Sequence, residues 1–118
     1  MTNERLLQGI RLFNDQKFFQ SHEALEEAWI SERGPRRQFL QALIHLAVGL
    51  YHNQRDNPVG AVRQLRKGLK KLAAYVPSCE GIDTARLYRE ALAVVETIEA
   101  GTPLSRYPQI RASTDVGS

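Results

Sequence analysis

A histidine and two carboxylates stand together early in the chain, in His22-Glu23-Ala24-Leu25-Glu26. On a helix, His22 and Glu26 are one turn apart on a shared face, where they can hydrogen-bond, exchange a proton or hold a metal ion between them. Gln41, His45 and His52 make a second polar series. At about 100° per residue they fall within roughly 40° of one another. If the two series turn towards each other they assemble His22, Glu26, His45 and His52, with Glu23 and Gln41 at the margin and Trp29 as a wall. Acid/base chemistry at such a seam, hydrolysis included, would use Glu26 as base or ligand. His22 and His52 would be ligands or proton shuttles, and Gln41 an orienting donor. A divalent ion is one candidate cofactor, with His22, Glu26 and His52 as its ligands. The segment is not a His-Glu-x-x-His motif, because the second imidazole is missing. His45 and His52 lie about 10 Å apart along a helix axis, too far to share one ion comfortably. A second reading stands beside the first. The same His/Glu/Gln network only fixes helix packing, and an outer face binds a protein partner. Either way the groups must meet, since each buried polar group left unpaired costs about 1–3 kcal/mol.

The elements that must position these residues read as helices throughout. Leu6, Ile10 and Phe13 recur at helical spacing and predict a first helix over 3–14. A second, from residue 15 or 17 to 32, carries Phe18, Leu25 and Trp29 on the stripe that also holds His22, and Gly34-Pro35 ends it. The third starts at Pro35 and runs to about Asn53. From Phe39 to Tyr51 it is apolar nearly all round, the mark of a helix buried on most sides. Gly49 lies beside its polar strip and implies close approach by a neighbouring backbone, side chain or ligand. Asn57-Pro58 is an N-cap followed by proline at the first helical position. The fourth helix then carries Val62, Leu65, Leu69, Leu72 and Val76. Residues 77–81 read as a loop. Asp83 caps a fifth helix, with Ile82 and Leu87 as a hydrophobic staple, and Gly101-Thr102-Pro103 closes it. No stretch alternates as a strand would. The expected fold is all-α, an antiparallel bundle of about five helices around a buried central third helix, with one domain over 1–110 and a flexible tail over 111–118.

Composition narrows the functional classes. With 118 residues, 42% apolar and 25% charged, the chain suits one globular domain. A net charge of +3 is too mild to imply nucleic acid. Arg63, Arg66, Lys67, Lys70 and Lys71 lie opposite the leucines of the fourth helix and read as a solvated face, with no aromatic residue between them. Cys79 is the sole cysteine, so no disulfide forms within the chain and a reducing compartment fits. There is no signal-like apolar run, and the apolar stretch over 39–51 falls short of the ~20 residues that cross a bilayer. The expected location is cytoplasmic, with a small molecule or a protein as partner and no membrane. Asn14 reads as a turn or capping residue.

Phe13-Asn14, Phe18-Phe19, His22-Glu23, Glu26 and Trp29, followed by Leu40-Gln41, Leu43-Ile44, Tyr51-His52, Asn57 and Gly60-Ala61, resemble the family known as domain of unknown function 309. The likeness covers about residues 6–72. It implies a compact helical domain with no settled biochemical role, and singles out His22, Glu26, Gln41 and His52. Two positions where the family pattern implies glycine hold Gln16 and Ala42, and His45 stands where glutamine is usual.

Overall fold

The computed structural model describes residues 4–113. The chain is all-α: α1 (Glu4–Asn14), α2 (Phe18–Ser31), α3 (Arg37–Gln54), α4 (Pro58–Leu72) and α5 (Thr84–Glu99), each packed on the next in chain order. Short connections make α1 to α4 run antiparallel in sequence. α3 is the central helix. Phe39, Leu40, Ala42, Leu43, Ile44, Leu46, Ala47, Gly49 and Leu50 are buried around its circumference, between α2 on one side and α4 on the other.

Local chemistry starts and stops the helices where expected. Asn57 Oδ1 accepts from Gly60 N at 3.0 Å and Asp83 Oδ1 from Arg86 N at 3.0 Å, so each cap satisfies a free helix-end donor. At its C-terminus α1 closes with paired bonds, Lys17 N to Leu12 O and Gln16 N to Phe13 O. That is the Schellman arrangement, whose pivot residue takes the left-handed conformation. α3 closes likewise around Asp56 and α5 around Gly101. The pivot of α1 is Gln16 at φ 64°, one of the two positions where the family pattern implies glycine. A side chain in that region costs about 1–2 kcal/mol, partly offset by the extra freedom glycine has when unfolded. Gln16→Gly should therefore stabilise the fold by about 1 kcal/mol, a rise in Tm of roughly 4 °C. A scan showing an unchanged or lower Tm would refute the strain.

The stretch after α4 departs from the sequence expectation. α4 ends at Leu72 and tightens into a 3-10 turn over Ala73–Tyr75. Residues expected to be loop form a small hairpin, β1 (Ser78–Cys79) against β2 (Ile82–Asp83). Glu80 and Gly81 both have positive φ, as the tight turn of a two-residue hairpin loop requires. Two-residue arms are too short for alternation to register. The chain beyond α5 adds to this ribbon: Asp83 N donates to Arg111 O and Ser113 N to Gly81 O, both at 2.8 Å. The backbone thus stays engaged past residue 110, where the flexible tail was expected to begin. Residues 114–118 of that tail, and Asn3 at the expected start of α1, lie outside the described residues.

Candidate functional site

α2 and α3 run antiparallel, so the start of α2 meets the end of α3. His22 lies 3.4 Å from Glu26, Nε2 to Oε2, and its Nδ1 is 3.2 Å from Phe19 O. A carbonyl and a carboxylate both only accept, so each ring nitrogen of His22 faces an acceptor. The pair is not enclosed: the side chains are 21% and 47% exposed. Beside it the rings form a row. Phe19 stacks 5.4 Å from His22 and 5.2 Å from Tyr51, and Tyr51 lies 6.4 Å from His52. The Arg55 guanidinium stands 5.8 Å from the Tyr51 ring. Phe18, one residue before Phe19 and about 100° round the helix, goes to the core instead, against Phe13. Phe19 is left 44% exposed.

The two polar series do not face each other. His45 Nδ1 pairs with Gln64 Oε1 of α4 at 2.8 Å, and His52 Nδ1 lies 3.4 Å from the Nδ2 of Asn57, the cap of α4. The polar strip of α3 therefore borders α4, while Tyr51 turns towards α2. The cause is a close helix crossing. A Cβ on Gly49 would stand 2.7 Å from Leu65 Cγ and 3.0 Å from Ala61 O; one on Gly68 would stand 2.8 Å from Leu46 and 3.0 Å from Ala42 O. Each glycine sits on the carbonyl of the opposite alanine, and this brings the strip of α3 against α4. Ala42, the second departure from the family pattern, is thus part of the crossing.

The expected assembly of His22, Glu26, His45 and His52 is accordingly split into three local pairings. Among the described residues, no group of three or more histidine, cysteine, aspartate or glutamate side chains is arranged to hold a metal ion. Glu23 is exposed and Gln41 half-buried. Trp29 lies at the far end of α2 and walls nothing near His22. The Arg37 guanidinium covers its ring at 4.0 Å, while Arg37 Nη1 donates to Trp29 O and Glu32 O, carbonyls at the end of α2. The indole Nε1 is buried without a hydrogen bond. Cys79 sits in the hairpin. Burial, and then the Glu80 carboxylate, push its thiol above the ordinary range, with Arg36 opposing them.

Residues 6–64 match the family model described as a domain of unknown function, DUF309. The chain belongs to this family. The matched span holds α1 from Leu6 onward, all of α2 and α3 and the first half of α4, and with them every residue of the ring row and the histidine pairings. The chain is also similar to an uncharacterized protein, YpuF, of Bacillus subtilis strain 168. The two are 38% identical over 86 residues, which cover 70% of this chain and 49% of the relative. The chain thus spans about half the length of the curated relative it matches. No helix among the described residues is long and apolar enough to cross a membrane.

Reasoning from sequence passed over Phe19, Tyr51 and Arg55 as site residues. The Phe18-Phe19 doublet was the available signal, since adjacent residues of a helix point about 100° apart and a helix with one apolar stripe buries one such ring more fully than the other. Asn14, expected as a turn or capping residue, is a tertiary clamp. Its Nδ2 donates to Ile110 O at 2.9 Å and its Oδ1 accepts from Ile110 N at 2.7 Å.

Proposed function

We propose that the DUF309 span carries a protein-recognition surface centred on Phe19, with His22, Glu23, Glu26 and Arg55 as its polar rim. The observation that supports this reading is a phenylalanine ring 44% exposed yet held in place between His22 and Tyr51. A fixed, partly exposed aromatic bordered by polar groups has the make-up of an interface centre. The partner it suits offers an apolar side chain to cover Phe19 and a basic group for Glu23 and Glu26. Proton transfer at His22 is the competing reading, favoured by the imidazole held one helical turn from the Glu26 carboxylate.

One experiment separates them. A benzophenone amino acid at the exposed Gln20 should yield a discrete cross-linked adduct in cells. Phe19→Ala should remove the adduct, because losing an interface aromatic typically costs about 2 kcal/mol or more of binding. The fold should lose only about 1 kcal/mol, since the ring is half-buried. His22→Gln should leave the adduct in place with reduced yield. An adduct indifferent to Phe19→Ala, or none at all, refutes the surface; an intact adduct with a cellular phenotype lost in His22→Gln favours proton transfer.

A further inference from the structure

A second candidate site, a cavity, lies away from the ring row. It holds about 390 Å³ between α5 and the segment that follows Gly101, and none of its lining residues falls within the span matched to the family. Its charged lining is lopsided: Arg86, Arg106 and Arg111 against the single carboxylate of Glu90. Both oxygens of that carboxylate are already engaged. Oε1 accepts from Gln109 N at 3.0 Å; Oε2 accepts from Arg86 Nε at 3.1 Å and lies 3.8 Å from Arg111 Nη2. Glu90 therefore anchors the segment and holds two of the guanidinium groups at the cavity. Each of these keeps further N–H donors, since a guanidinium carries five. Arg106 makes no hydrogen bond or ion pair among the described residues. The lining also includes the apolar Val94 and Leu104 and the aromatic Tyr107.

We infer that this cavity binds a small phosphomonoester carried on a flat or aliphatic body. Three guanidiniums and one carboxylate leave a formal +2 at the cavity. A phosphomonoester, at about −1.5 to −2 near pH 7, matches that excess, whereas a carboxylate supplies only half of it. Forked guanidinium donors suit the tetrahedral oxygens. The apolar lining residues give the ester's organic part a surface that free phosphate has no use for. The volume is at the small end of the roughly 300–1,000 Å³ usual for ligand pockets, so the body is a single ring or short chain.

Phenyl phosphate is the probe, titrated into the full chain at low salt and followed by amide NMR shifts, with benzoate and inorganic phosphate as comparators. Saturable shifts should centre on Ala93, Ser105 and Tyr107. Binding should be at least fivefold tighter for phenyl phosphate than for either comparator. Arg106→Gln, which removes no contact that holds the fold, should weaken it roughly tenfold, as expected for one charge-assisted contact. No saturation up to several millimolar overturns the inference. So does equal binding of inorganic phosphate, or an affinity unchanged in Arg106→Gln. If Arg106→Gln shifts the melting temperature, Arg106→Lys, which keeps the charge and loses the fork, supplies the comparison, and full binding in it removes the guanidinium from the argument.

Discussion

Gly49→Val should lower the unfolding free energy by about 3 kcal/mol, the upper part of the range for an overfilled core. The new side chain would have to stand where Leu65 and the main chain of Ala61 already are. Leu65 is wholly buried and has nowhere to go. Gly49→Ala is the sharper comparison. Helix propensity alone would make it stabilising by about 1 kcal/mol, whereas the contacts at 2.7 and 3.0 Å make it destabilising by a similar amount. Gly34→Ala is the comparison outside the crossing, because a Cβ there meets a single side-chain oxygen of Glu32, at 3.1 Å, and no backbone. Urea unfolding of the three variants decides the matter: Gly49→Ala at or above wild-type stability would mean that α3 and α4 are not in close backbone contact.

The second large effect is expected at Asn14. Replacing it with alanine removes both partners of the Ile110 peptide groups, which sit beside a side chain only 4% exposed. A buried backbone group left unpaired costs about 1–3 kcal/mol, and some relaxation of the segment brings the total to about 3 kcal/mol. The loss should be local first. Native-state hydrogen exchange should show the amides of Ile110, Asp83 and Ser113 exposed together, because the latter two bond along the same strip of chain. Protection at Ile110 that survives Asn14→Ala would show the clamp to be idle. Asn14→Asp keeps the acceptor and loses the donor, and should fall between.

Asn14 also marks the limit of what local sequence encodes. The caps at Asn57 and Asp83 were legible because their chemistry is complete within four residues. Asn14 acts on a partner 96 residues away, and nothing local marks that. The position of the third helix at the centre was legible from its all-round apolarity. The same apolarity concealed which face meets which neighbour: a helix greasy on every side has no pattern of its own to orient it. Hence His45 and His52, expected opposite His22, lie against α4. The deciding signal was spread over two helices. Ala42 and Gly49 are seven residues apart, as are Ala61 and Gly68, and in antiparallel register each glycine falls on the other helix's alanine. Read singly, Gly49 announced only that something comes close. Of the candidate site, the i, i+4 pairing of His22 with Glu26 was legible; the row of rings that links His22 to His52 was not, because stacking across helices depends on that same register.

Trp29 is the only tryptophan in the chain, and its ring lies under the Arg37 guanidinium, which is itself tied to the last carbonyls of α2. An indole held so close to a fixed cation emits differently from one in water. The molecule therefore has a built-in fluorophore at one joint, between α2 and α3. Its spectrum reports separation of those two helices without a label, while events at the α5 end leave it dark to change.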